Sequence, residues 1–347
     1  MQMFEDTGVH TVVDGQFGST GKGVLSAFLA KHALDRGQRM AAVISNAGPN
    51  SGHTFYYGDQ KVVLKQLPVF AMATAMLSYS EVKPPIYLSA GAIIDVAVLA
   101  KEARMYPGPI FVHPNAAVIT DEDREAEHSG TIAAVAGTRS GTGAALARKV
   151  QRDPDAVMGN YGRRNWLPEN VRVASMKLDW MTNPYFMEVS QGFSLGINQQ
   201  FYPKCTSREC TVSQAYADAG IPPQAKAQTY MSMRTYPIRV GNVDGHSSGD
   251  WYPDQEETSW EKLGVTPELT TVTQRVRRVA TFSGEQFMDA LWANAPGFVF
   301  VNFMNYLPGD RRGEFLGRIR DARDDAPLWF DLLACYGPKS EDVQWVA

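Results

Sequence analysis

"VVDGQFGSTGKG" occupies residues Val12 to Gly23, after a short apolar run and before a segment with apolar residues at helical spacing. Strand, glycine loop and helix in that order make a phosphate cradle, because successive backbone N–H groups and the first turn of the helix converge on an anion. Gly18, Gly21, Lys22 and Gly23 suit that task, the glycines by letting backbone approach a ligand and the lysine by adding a point charge. A strand-to-helix turn without any ligand is the plain alternative. The loop also departs from a Walker A motif. Five residues separate Gly15 from Gly21 where that motif has four, and Gly23 follows the lysine where a magnesium-holding Ser or Thr belongs.

Outward from this loop the chain alternates. "GVHTVVD" (8–14), "MAAVISN" (40–46), "KVVLKQLPV" (61–69) and "PIYLSAG" (85–91) read as strands, and "PIFVHPNAAVI" (109–119) as a strand and turn. "GVLSAFLAKHALDRG" (23–37) reads as a helix stopped by glycine, and "AIIDVAVLAKEARMY" (92–106) as a second helix. The expected fold is α/β with a mostly parallel central sheet and helices on both faces. Beyond about residue 150 the texture is polar and turn-rich, as in 152–170 and the long polar stretch 241–260. "GFVFVNFMNYL" (297–307) then reads as a buried central strand, and 326–342 as another buried segment ending in Gly-Pro. The expectation is one domain over 1–347, with subdomain insertions around 100–190 and 243–266.

Composition excludes several classes. With 347 residues, 44% hydrophobic and 20% charged, and a net charge of −4, the chain reads as an ordinary globular protein that binds neither nucleic acid nor membrane. No stretch approaches the roughly 18 apolar residues of a membrane span, and the first ten residues carry no apolar core of a signal peptide. Three cysteines, Cys205, Cys210 and Cys335, form no zinc pattern, so a reduced, cytoplasmic protein is expected, in the host cell if the source is viral.

A second small-residue segment, "SNAGPNSGHT" from Ser45 to Thr54, follows the second expected strand and surrounds His53. Together the two segments resemble the signatures of the adenylosuccinate synthetase family, "GxQWGDEGKG" and "GGxNAGHT". The resemblance continues in order through "AGTRSGTG" (136–143), "KVQRD" (149–153), "SQGFSLG" (190–196), "YPKCTS" (202–207), "RVGN" (239–242) and "TVTQRVRR" (271–278). Residues 154–187 and 243–266 match nothing in it. It implies a P-loop-NTPase-like domain, a homodimer, magnesium, and a carbon–nitrogen ligase that phosphorylates purine O6 and displaces the phosphate with the amine of L-aspartate. The resemblance makes His53 the acid at the transferring phosphoryl group, with Lys22 and the loop position Ser19 as its catalytic companions. It assigns the phosphate donor to Gly18, Thr20, Gly21, Lys22, Gly23, Thr54, Asn305, Gly337 and Pro338. The nucleoside monophosphate falls to Ser19, Asn50, Thr138, Gln191 and Thr206, and to Arg152 reaching across the dimer; Arg139 or Ser140 competes with Thr138 in the alignment. Aspartate falls to Thr271, Thr273, Arg275 and Arg277, and the metal to the loop position Ser19 and to the carbonyl of Gly52. Arg–carboxylate pairing suits the two aspartate carboxyls.

Two departures bear on substrate. Where the family has Asp-Glu, this chain has Ser19-Thr20, which removes a carboxylate proposed as the base at purine N1. A shorter side chain there makes room for the 2-amino group of guanine, and a hydroxyl can accept from it. The family's guanine-reading "TKxD" strand end is here Val301, Asn302, Phe303, Met304, Asn305, with no carboxylate; a neutral amide suits adenine, so ATP or dATP is the expected donor. Both departures occur together in a viral branch of the family that makes a diaminopurine precursor from dGMP, and Leu195 or Ile197 would close the sugar pocket. An IMP-directed synthetase, an inactive nucleotide-binding protein and a simple kinase remain as alternatives.

Overall fold

The computed structural model describes residues 3–80, 82–128, 137–243, 245–270, 274–325 and 328–346. Its first strands are β1 Gly8–Asp14, β2 Ala42–Ser45, β3 His53–Tyr57, β4 Gln60–Leu64, β5 Ile86–Leu88, β6 Ile93–Ile94, β7 Ile110–Val112, β8 Ala117–Val118 and β9 Val171–Val173. There follow β10 Pro184–Glu188, β11 Lys226–Arg234, β12 Ile238–Arg239, β13 Glu257–Thr258, β14 Arg278–Ala280, β15 Phe298–Asn302, β16 Asp331–Cys335 and β17 Val343–Val346. A ten-stranded sheet runs in the order β17-β16-β15-β11-β1-β10-β2-β5-β7-β9. Every pairing in it is parallel except that of β16 with the edge strand β17. The expected α/β architecture is therefore present.

The apolar strands bury both faces, as parallel sheets require. Val12, Val43, Phe186, Phe298 and Phe300 point into one core, with the helices α1 (Lys22–Asp35) and α2 (Val69–Leu77). Val13, Ile44, Met187, Val299 and Val301 point into the other, under the helices Val212–Ala219 and Gly284–Asn294. The period-2 alternation along each strand divides the residues between the two layers.

Two expectations change locally. The strand expected over 61–69 ends at Leu64, because the buried Glu102 carboxylate takes the N–H groups of Lys65 (2.7 Å), Gln66 (3.0 Å) and Leu67 (2.8 Å), and Pro68 then starts α2. This strand pairs with β3 as a hairpin rather than joining the large sheet. The helix expected over 92–106 begins at Val96, since the Asp95 side chain caps it by accepting from Ala97 and Val98 N–H; Ile93–Ile94 instead pairs with β8.

The region around 100–190 supplies β7, β9 and β10, and β10 lies in the middle of the sheet between β1 and β2. In the 243–266 region, Trp251 and Tyr252 set their rings 5.6 and 6.0 Å from that of Phe17 in the glycine loop, so this polar stretch packs over the loop. The carboxyl ends of β1, β2, β10, β11, β15 and β16 open together at one edge, where open parallel sheets bind ligands.

His10, wholly buried in β1, has its pKa lowered to about 4 by burial, partly opposed by its hydrogen bond with the Glu5 carbonyl. The unfolded chain takes up this proton near pH 6.5, so stability is lost as pH falls from about 6.5 to about 4. The loss from this group should be on the order of 3 kcal/mol. Denaturant titration across that window should show a shallower slope in His10→Gln than in the native chain.

Candidate active site

Asp14, the last residue of β1, has its carboxylate filled by the loop that follows. Oδ1 accepts from Gln16 N–H (2.9 Å) and Gly18 N–H (3.2 Å), while Oδ2 accepts from the Thr20 hydroxyl (2.6 Å) and from Lys22 Nζ (3.0 Å). Lys22 also donates to the Gln191 carbonyl at 2.7 Å. The Thr20 hydroxyl is turned inward, so among its groups only the backbone remains for the phosphate role expected of it. Ser19, at φ 56°, points the other way and is exposed to a cavity of about 970 Å³.

Both glycines that frame the lysine are sterically required. A Cβ on Gly21, at φ 92°, would lie 1.7 Å from Asn302 Nδ2, and one on Gly23 would lie 2.2 Å from the Thr54 carbonyl oxygen. Gly23 thus replaces the Walker hydroxyl because β3 lies directly against the first turn of α1.

β3 presents His53 to the cavity. Its Nδ1 lies 3.2 Å from Glu188 Oε2, and Glu188 also accepts the Val69 (3.1 Å) and Phe70 (2.7 Å) N–H groups that open α2. Fixed in this way, the imidazole leaves Nε2 buried without a partner at the cavity wall. That is the arrangement of a positioned hydrogen-bond donor or acid.

Gly18, Ser19, Thr20, Gly21, Lys22, Gly23, Asn50, Gly52, His53, Thr54, Thr138, Gln191, Arg275, Arg277, Asn305, Gly337 and Pro338 all line this one cavity. Thr138 lines it while Arg139 and Ser140 do not, and Leu195 lines it while Ile197 does not. Gln191 Nε2 donates to Asn50 Oδ1 at 2.7 Å, joining two residues expected at the monophosphate. Thr206 and the exposed Arg152 lie outside the lining of their own chain's cavity. Thr271 and Thr273 fall outside the described residues. Arg278, adjacent to the expected arginines, is held elsewhere by Glu257 (2.8 and 2.5 Å) and the Gly249 carbonyl. Burial lowers the Arg277 pKa to about 10, with nearby Glu268 opposing the shift.

Sequence reasoning missed Asp14, Glu188, Arg234 and Glu268. The first three end buried parallel strands, and a charged residue closing an apolar run is the signal that could have found them. Arg234 donates to the Ser19 carbonyl at 3.1 Å and pairs with Glu268 at 2.5 Å.

Gly23→Ser, which would complete a Walker-type ending, should lower stability by about 2 kcal/mol by driving β3 off α1; a thermal melt that is unchanged would contradict that packing.

Comparison with known proteins accords with this geometry. The adenylosuccinate synthetase family model matches residues 173–296. The N6-succino-2-amino-2'-deoxyadenylate synthase of Vibrio phage phiVC8 is 37% identical over 86% of this chain and 86% of its own. That of Salmonella phage PMBT28 is 34% identical over 96% of both. The solved Cyanophage S-2L succinoaminodeoxyadenylate synthetase, bound to dGMP and to dATP as an energy donor, superposes with a TM-score of 0.84 at 35% identity, covering 98% of this chain and 96% of that one. The chain belongs to the adenylosuccinate synthetase family, in its phage N6-succino-2-amino-2'-deoxyadenylate synthase branch, and is a carbon–nitrogen ligase.

Proposed function

We propose that the protein joins dGMP to L-aspartate, with ATP or dATP converted to its diphosphate and phosphate, giving N6-succino-2-amino-2'-deoxyadenylate for diaminopurine DNA. The observation that carries this reading is Ser19, a short side chain held facing the cavity at the loop position where the wider family has an aspartate. Its size leaves space beside purine C2, and its hydroxyl can accept from the guanine 2-amino group.

In this reading the γ-phosphoryl group passes to guanine O6, the aspartate amine then attacks C6, and phosphate leaves. His53, oriented by Glu188, donates through Nε2 to the transferring phosphoryl oxygens. Lys22 and the N-terminus of α1 hold the donor phosphates. Gln191 and Asn50, already joined, meet the monophosphate, with Thr138 beside them and Thr206 as a further contact. Arg275 and Arg277, with Thr271 and Thr273, receive the aspartate carboxylates. The donor base lies against Gly337 and Pro338, where the exposed amide of Asn305 can pair with adenine. The Asn302 amide is less suited, since its oxygen accepts the Phe303 N–H at 2.8 Å and its nitrogen abuts Gly21. Leu195 shapes the sugar pocket.

Magnesium fits this site only through neutral oxygens. Among the described residues no group of three His, Cys, Asp or Glu side chains could hold a metal ion, and the Asp14 carboxylate is filled by four donors. The Gly52 carbonyl and the Ser19 hydroxyl, both at the cavity, would hold the ion together with substrate phosphates, as Mg²⁺ sites on nucleotides do. When bound it would neutralise charge on those phosphates.

Arg152 is exposed and takes no part in its own cavity, which supports its reaching the monophosphate of a partner subunit in a homodimer. The phage source of its relatives supports a reaction in the cytoplasm of a host cell.

Purified protein given ATP, aspartate and either dGMP or IMP should form the succinyl product from dGMP, identified by mass; turnover of IMP with none of dGMP would overturn the assignment. Ser19→Asp should reduce kcat/KM for dGMP about tenfold more than for dIMP, and equal losses would count against the steric account. Mixing inactive Arg152→Ala with inactive Lys22→Ala should restore activity through hybrid dimers, whereas an arginine acting within its own chain would give no recovery.

A further inference from the structure

Arg234 ends β11 with its side chain fully buried, a costly place for a guanidinium. It is held by three different parts of the site. Its Nη2 donates to Glu268 Oε1 at 2.5 Å and its Nη1 to Glu268 Oε2 at 3.2 Å, and Nη1 also donates to the carbonyl of Ser19 at 3.1 Å. The guanidinium lies 3.9 Å over the ring of Phe303, in the segment that faces the donor base. The backbone of Arg234 is tied as well: its N–H donates to Gln16 Oε1 at 3.0 Å, and its carbonyl accepts from Gln16 Nε2 at 3.2 Å.

Glu268 continues the chain of contacts. Its Oε1 accepts from the Tyr306 hydroxyl at 3.0 Å, and its backbone carbonyl accepts the Arg277 N–H at 2.9 Å. One residue on, the Leu269 carbonyl accepts from Arg277 Nε at 3.2 Å, and Thr270 Oγ1 accepts the Arg275 N–H at 2.9 Å. Burial pushes the Glu268 carboxyl upward, but the charge and hydrogen bonds of Arg234, the Tyr306 hydroxyl and the charge of Arg277 outweigh it and keep the group below the usual carboxylate range.

We infer that Arg234 and Glu268 are positioning residues that hold the purine-facing Ser19 and the aspartate-gripping arginine segment in one register. The pair fixes directions that an apolar contact could not. Ser19 sits at φ 56°, a left-handed conformation unfavourable for a residue with a Cβ, and the hydrogen bond from Arg234 to its carbonyl sets which way that peptide faces. Pulling Arg234 away frees Ser19 at one end and the root of the arginine segment at the other. The purine end and the aspartate end of the cavity therefore depend on the same guanidinium. The substrates named here rest on the function proposed above.

The test compares wild type with Arg234→Lys, Glu268→Gln and the double variant. Wild-type turnover of dGMP checks the function by itself, so its failure is distinguishable from failure of the positioning role. Glu268→Gln should raise KM for aspartate about tenfold while kcat at saturating aspartate stays within about threefold. Arg234→Lys keeps the charge but loses the fork, and should also change the dGMP-to-dIMP ratio of kcat/KM by about fivefold. The double variant should be no worse than the worse single variant. If a glutamine or lysine variant fails to fold, Glu268→Asp, which keeps the charge, provides the same aspartate KM and calorimetric binding of dGMP with and without aspartate. Lowered melting temperature with unchanged aspartate KM and unchanged purine ratio would overturn the inference, as would fully additive effects.

Discussion

The phosphate loop depends on one buried carboxylate. Asp14 accepts two backbone N–H groups, a hydroxyl and an ammonium, all from the eight residues that follow it. A carboxylate taken out of water is expensive unless its lone pairs are used, and here each oxygen has two donors. Since Thr20 is drawn inward by this anchor, its neighbour Ser19 is turned outward, and the residue that distinguishes this loop from its wider family is the one displayed. The same carboxylate fixes Lys22 at the first residue of α1. The unusual spacing of the glycines follows from wrapping the chain around Asp14 rather than around the ligand alone.

The principle repeats around the cavity. Lys22 is paired with Asp14, His53 with Glu188, and Arg234 with Glu268. In the first two pairs the acid is wholly buried and sits behind the base as seen from the cavity, so the basic group is oriented before any anion arrives; in the third the order is reversed, with Glu268 at the cavity wall and the buried Arg234 behind it. Such prior orientation is worth most in a reaction whose work is largely positioning and charge stabilisation. Glu188 serves two ends at once, because the same carboxylate also satisfies the buried N–H groups at the start of α2 that have no partner within the helix.

What the sequence made legible was local. The two glycine segments, the histidine within the second and the order of strands and helices could be read because their geometry is set by neighbours in the chain. The partners of those segments could not. Glu188 meets His53 across 135 residues and Arg234 meets Ser19 across 215, and nothing in the periodicity near either one announces the other. The strand expected over 61–69 stops early for a similar reason: its end is set by Glu102, a carboxylate 35 to 37 residues further on. The 243–266 stretch had no readable role because its aromatic rings act on Phe17, far back in the chain.

The place of β1 in the sheet has a consequence for how the molecule comes together. Its neighbours are β10 and β11, which pair Gly8 with Pro184 and Val9 with Lys226, so the strand that carries the phosphate loop has no flanking partner until more than half the chain has been made. During synthesis an apolar segment therefore waits unpaired, and the nucleotide pocket closes only when β15 and β16 dock late. Folding dominated by such distant pairings is slow and exposes sticky intermediates, which makes a nucleotide already bound to the finished pocket, rather than any early fragment, the natural brake on unfolding.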